Sequence, residues 1–228
     1  MGILIGVLEQ GLIYGIMALG VYITYKILDF PDLTTDGSFP AGAAITAVLL
    51  TKGINPYLSL LISFISGMVI GALTGIIHVK FKVRDLLSGI IMMTALYSIN
   101  LRIAGKANVP LFSQNTVFDN SFVNSIFPQS LVLYKTVIIA LILTLITKFI
   151  LDAYLNTKSG FLLRAVGNNE TLVTTLAKDT GLVKILGLAI ANGLVAMSGS
   201  IMCQQQRFFD VSMGTGTVVI GLANVIIG

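Results

Sequence analysis

The chain has 228 residues, 55% of them hydrophobic and only 11% charged, with a mean hydropathy of +0.93 and a formal charge of +4. A soluble domain carries about 25% charged residues; this chain lacks the polar surface to cover its apolar side chains in water, which makes a lipid bilayer its solvent. The basic excess then reads as a topology signal rather than as nucleic-acid affinity, and a single cysteine, Cys203, excludes an intrachain disulfide.

Apolar runs predict an all-α, polytopic transmembrane bundle in one domain over residues 1–228. Six stretches enter the membrane, at about 3–25, 38–51, 57–79, 86–104, 131–151 and 182–203. A seventh starts near 212 and is still apolar at "VVIGLANVIIG", which leads us to expect a chain truncated within a span. The opening "MGILIGVLEQGLIYGIMALGVYITY" lacks a basic leader and an A-x-A-type cleavage site, so it reads as a retained first span. Glu9 and Gln10 are its polar residues. Glu9 lies close enough to the start to reach the interface.

After the first span comes "KILDFPDLTTDGSFPAGAAITAVLL", with Asp29, Asp32 and Asp36 in quick succession and Pro31, Gly37 and Pro40 against a continuous helix. The apolar stretch behind them covers about 21 Å at 1.5 Å per residue, too little to cross alone. Part of 29–37 is therefore expected to enter the membrane as irregular backbone, which is tolerated only where protein or a wet cavity surrounds it. Ser38 or Asp36 is placed to cap the following helix, and broken helices of this kind mark solute paths in transporters. The plainer alternative is a solvated cytoplasmic loop. A similar aromatic-Asp element recurs in "QQQRFFDVSMGTGTVVIGLANV", as a degenerate repeat would.

In the third span Ser63, Gly67, Gly71 and Gly75 repeat every four residues, putting small side chains on one face for close packing. The basic loop "HVKFKVRD" follows, holding His78, Lys80, Lys82 and Arg84. With Lys148, Lys158, Arg164, Lys178 and Lys184 between spans five and six, it belongs to the cytoplasm. The polar linker 105–130 then lies outside, together with the N-terminus; the rival arrangement has the N-terminus inside and 38–51 re-entrant. Asn100 and Arg102 in span four and Asn192 in span six are polar at membrane depth, where side chains face the bundle interior. Asp29, Asp36, Ser38, Asn100 and Asn192 form the candidate substrate pathway.

No catalytic apparatus emerges. His78 is the sole histidine, no metal-ligating cluster or Ser-His pairing is visible, and "AGKAN" lacks the glycine and Ser/Thr of a phosphate-binding loop. This predicts no bound metal or cofactor and no enzyme activity of its own.

Between spans five and six, "GFLLRAVGNNETLVTTLAKDTG" is polar in a chain that is otherwise greasy. Leu172, Val173, Leu176 and Ala177 fall on one side of a helix starting near Asn169, with Glu170 in its first turn and Lys178 in its last. Asn168 or Asn169 can cap it, and Gly181 can end it. A helix of about ten residues is marginal alone, so the loop 156–181 is expected to dock on a partner.

This stretch resembles the cytoplasmic coupling segment of ABC importer permeases of the branched-chain amino acid and ribose type. Gly160, Arg164, Ala165, Gly167, Asn169, Ala177 and Gly181 match the family's pattern in order, and "LDFPDLTTDGSFPAGAA" resembles its aromatic-centred stretch after the first span. The resemblance covers nearly the whole chain and is closest to a branch associated with amino-acid uptake. It implies a multi-pass permease of the bacterial cytoplasmic membrane for a small polar solute, with two permease subunits forming the path. Each would lay its coupling helix, with Leu172 and Leu176, in a groove of an ABC ATPase subunit that holds the ATP, and a periplasmic or extracellular solute-binding protein would deliver the solute. A self-contained secondary transporter or channel, with Glu9 or Asp36 as an ion site, is the alternative.

Overall fold

The computed structural model describes residues 2–126, 134–175 and 179–227. In chain order these form α1 (Gly2–Val21), which continues as a π turn (Tyr22–Ile27), then α2 (Thr35–Thr51), α3 (Pro56–Phe81) and α4 (Asp85–Ala104). After them come β1 (Asn108–Pro110), α5 (Ser121–Ile126), α6 (Lys135–Leu155), α7 (Lys158–Asn168), α8 (Glu170–Thr175), α9 (Thr180–Gln206), β2 (Phe208–Asp210) and α10 (Thr217–Ile227). Five of the described helices are long and apolar enough to cross a bilayer: the run Leu4–Ile27, α3, α4, α6 and α9. α10 is a shorter apolar helix and α2 has 17 residues, so the expected multi-span bundle stands.

The bundle is organised around α9. Of its most apolar window 78% is buried, against 22% for α6, because "GLAIANGLVAMSGS" presents small side chains all round and lets neighbours close in from every side. On one side the α3 stripe meets it: a Cβ on Gly67 would lie 2.3 Å from the carbonyl oxygen of Asn192, and one on Gly71 2.1 Å from that of Leu188. On another, Gly42 of α2 faces Ala196, and Thr46 hydrogen-bonds both Ser63 and Ser200. α1 comes in at Gly20 against Ala191, and Ser198 donates to the carbonyl of Ile13 at 2.7 Å. The outer faces of α3 and α6, with Leu61, Ile65, Val69, Ile146, Phe149 and Ile150, are exposed apolar surface of the kind lipid covers.

These pairings fix directions. α1 and α3 run antiparallel to α9, while α2 runs parallel to it. The N-terminus therefore shares an end of the bundle with the linker after α4, where Gln205 donates to Glu9 at 2.9 Å. The basic turn at Lys80–Arg84 and α7 lie at the other end. At the outer end β1 and β2 pair antiparallel, Val109 opposite Phe209, adding a small ribbon to an otherwise helical fold. Arg207, at φ 60°, closes α9 in the left-handed conformation and turns the chain into that ribbon.

Candidate functional site

The segment Leu28–Thr34 carries no regular helix, and Leu28, Phe30, Asp32 and Thr34 are buried in the bundle. The π turn leads into it, with Leu28 N–H bonded to the carbonyl of Ile23, and Asp29 adopts φ 53°, a conformation that non-glycine residues take rarely. Asp32 then builds a turn of its own: its Oδ1 accepts from the Thr34 amide at 2.8 Å, and its carbonyl accepts from the Thr35 hydroxyl at 3.1 Å. α2 starts beyond this turn, close to the middle of α9.

Asn192 ties the turn to α9. Its Nδ2 donates to Asp32 at 2.7 Å and to the carbonyl of Leu188 at 3.1 Å, while its Oδ1 accepts from Ser38 at 2.6 Å. Both donors of that carboxamide and one of its two acceptor positions are thereby used. Thr34 and Thr74 close the opposite side at 3.1 Å, and Asp32, Thr34, Ser38 and Asn192 are all buried. A carboxylate in such a place is costly unless hydrogen-bonded, and here its partners are Thr34 of its own turn and Asn192 of α9. Ser38 and Asn192 form a dry lock rather than an open path in this conformation.

Asp36 and Asn100 lie elsewhere. The carboxylate of Asp36 caps α10, accepting from Gly216 N–H at 3.0 Å, Thr217 Oγ1 at 3.0 Å and Val218 N–H at 2.7 Å. The two short helices thus start beside each other, α2 running outward and α10 inward, with Gly214 against the carbonyl of Asp36. Asn100, fully buried on α4, donates from Nδ2 to the carbonyl of Gly37 at 3.0 Å. A cavity of 240 Å³ lies between these elements, lined by Asp36, Gly37, Met93, Tyr97 and Asn100 among others. Asp29 is separate again: it is exposed, lining a cavity of 540 Å³ beside α7 with Tyr22, Lys26, Arg164, Gly167 and Asn168.

The polar stretch between α6 and α9 is folded differently from the sequence expectation. Thr157 caps α7, its hydroxyl accepting from Gly160 N–H at 3.3 Å, and Leu163 and Val166 turn inward while Arg164 and Ala165 stay exposed. Asn169 is extended and stands directly before α8, where the sequence places a cap, its carbonyl accepting from Val173 N–H, and Asn168 is the last residue of a separate helix, α7. Gly181 does not end the short helix; it lies in the first turn of α9, because Asp179 caps that helix by accepting from Leu182 N–H at 3.1 Å. Leu176 and Ala177 lie outside the described residues, as does the side chain of Leu172. Gly160 packs on the backbone of Leu155. Gly167 touches the site directly: a Cβ there would lie 1.8 Å from the carbonyl oxygen of Ile27 and 3.0 Å from Leu28 Cα. Sequence reading passed over Asp32 as a site residue, although the spacing Asp32–Leu33–Thr34 is that of a side-chain-to-backbone turn.

A family model described as branched-chain amino acid transport system / permease component matches residues 3–228. The chain is 50% identical, over 99% of its length and 72% of the relative's, to a tyrosine transport system permease protein of Clostridioides difficile. It is 34% identical to an uncharacterized protein of Rickettsia prowazekii, over 100% of this chain and 77% of that one. It is 28% identical to a probable branched-chain amino acid transport permease protein, LivH, of Methanocaldococcus jannaschii, over 94% of this chain and 70% of that one. No solved structure matches.

Proposed function

Because the chain belongs to the permease family of branched-chain amino acid transport systems, we propose that it is the membrane-spanning subunit of an ATP-driven importer whose solute is an aromatic amino acid. Two permease subunits would form the path across the bacterial cytoplasmic membrane. A separate ABC ATPase would hold the nucleotide, and an external solute-binding protein would deliver the solute. The aromatic preference is taken from the relative named for tyrosine transport, which shares half of its aligned residues with this chain.

The observation that carries the coupling is the seat of Gly167 on Ile27 and Leu28. α7 presents Arg164 and Ala165 outward and rests its other side on the π turn. That turn leads within a few residues to Asp32 and the Asn192 lock. A push on α7–α8 from a partner has no slack to absorb it, since backbone meets backbone at Gly167. It therefore moves the broken segment against α9. No ATP need bind this chain for that to work.

Co-purification with the ATPase subunit, followed by uptake of radiolabelled L-tyrosine into proteoliposomes, tests the reading. Uptake is expected to require ATP. The double variant Leu172→Asp and Leu176→Asp is expected to lose the ATPase while still inserting and purifying as the parent does. Uptake driven by an ion gradient with no ATPase present would overturn the proposal in favour of a self-contained transporter.

A further inference from the structure

The cavity between α2, α4 and the start of α10 has an unbalanced inventory of hydrogen-bonding groups. Asn100 is fully buried, and its Nδ2 is taken by the carbonyl of Gly37, yet its Oδ1 has no partner. The reverse amide orientation would set two acceptors against each other, so the spare group is the oxygen. Pro40 has no N–H, which deprives the carbonyl of Asp36 of its donor one turn along α2. The Asp36 carboxylate offers about four acceptor positions, of which α10 fills three.

The backbone donors at the two helix heads, by contrast, are spoken for, and the Thr94 hydroxyl donates within its own helix. The amides of Gly216 and Val218 at the head of α10 bond Asp36, and those of Gly37 and Ser38 at the head of α2 bond the carbonyl of Thr34. No lysine, arginine or histidine lines the cavity. Converging helix starts would ordinarily suit a carboxylate, but here their N–H groups are already bonded. What remains is acceptor capacity, one carboxylate and the hydroxyls of Tyr97 and Thr215, which accept as readily as they donate and carry no positive charge.

We propose that this cavity is the subsite for the primary ammonium group of the solute, held by Asn100 Oδ1 and the Asp36 carboxylate. An ammonium supplies three donors and a positive charge, which is what the site lacks. The remainder of the solute lies along Pro40, Met93 and Tyr97. Oδ1 is sealed from water in this conformation, so engagement goes with a shift of α4 against α2, and solute binding and helix movement are linked. The inference rests on the reading of the chain as an amino-acid permease and adds which end of the solute it grips.

The test uses the purified permease in nanodiscs, without binding protein, and competition against radiolabelled L-tyrosine. Tyramine keeps the ammonium; desaminotyrosine lacks it. Tyramine is expected to compete about as well as tyrosine, and desaminotyrosine more weakly by about tenfold or more, as loss of a hydrogen bond to a charged group brings. Asn100→Leu is expected to erase the preference for tyramine. Met93→Lys, which leaves the Asn100–Gly37 bond alone and puts its own ammonium in the cavity, is expected to abolish tyramine binding, while Met93→Leu preserves it. Equal competition by tyramine and desaminotyrosine overturns the subsite. So does an Asn100→Leu protein that melts higher and binds as the parent does, the behaviour of a merely orphaned acceptor. Absence of saturable binding by the permease while the complete importer transports tyrosine likewise removes the subsite and leaves the proposed function standing. An importer that takes up no amino acid removes the function itself.

Discussion

Around α9 the neighbouring helices approach through glycine, and the polar groups between them are bonded to one another. Around α7 and α8 only one side is covered, with Gly160, Leu163, Val166 and Val173 turned inward and Arg164, Ala165 and Asn168 facing out. Both regions are built with small residues at their contacts, yet they answer different demands. The seam leaves no room for a side chain to be added, so any displacement of α2 is felt by α9. The α7–α8 pair leaves a face open. A transport subunit needs both properties, and this chain keeps them in separate places joined at Gly167 and Ile27.

The sharpest way to break that contrast is bulk in the seam. Gly71→Leu drives a side chain into the carbonyl of Leu188, where even a Cβ would be 2.1 Å away. Overpacking of a tight core costs about 1–3 kcal/mol and more where backbone must move, so we expect no monodisperse protein by size-exclusion. Gly11→Leu is the control, since nothing lies within 4 Å of a Cβ there, and it should purify normally. Equal yields of the two would show that the stripe is not a close-packed interface.

Next in size is the lock itself. Asn192→Leu keeps the volume but leaves Asp32 and Ser38 buried without that partner. Leaving a buried charged or polar group unsatisfied costs about 3 kcal/mol, and we expect a lower melting temperature with insertion retained. A melting temperature unchanged from the parent would mean that the turn is held by Thr34 and Thr35 alone and that α9 does not grip it.

How much of this was legible beforehand follows from the range of each interaction. Span limits came within a few residues because hydropathy is local, and the α3 stripe was visible because its period is. The break before α2 could be read from Pro31 and the shortness of the apolar stretch, but Gly37 and Pro40, expected to interrupt the helix, lie inside α2. Asp36 shows where such reading ends. Its place in the first turn suggests a cap for its own helix, but it caps α10, 180 residues away in sequence, and nothing local specifies that. Asn192 was legible as deep and polar, but not as the partner of Asp32. In the polar loop the helix start near Asn169 was legible, since α8 begins at Glu170, but the preceding α7 capped by Thr157 was not, and Asp179 claims Gly181 for α9. The candidate pathway residues, taken as one set, fall into three locations for the same reason.

The smallest expected effect lies at the outer surface and sharpens the comparison from its polar side. There Asp119 accepts from Asn124 at 3.0 Å, is bonded by Arg207, and has Lys135 3.6 Å away. The Asn124 bond first, and then Arg207, hold its carboxyl below the ordinary value of 3.8. Folding therefore favours the ionised form; the added stability is present above the ordinary value and is lost as the pH falls through the lowered one. Both partners are partly exposed, at 34% and 40% of their side chains, so solvent screening limits the pair to about 0.5 kcal/mol. Arg207→Met should lower the melting temperature slightly at neutral pH and in low salt, and the difference from the parent should vanish in high salt and in strong acid. A deficit that persists undiminished under both conditions would assign Arg207 to packing at the end of α9, through its left-handed turn into β2, and make this outer corner as intolerant as the seam.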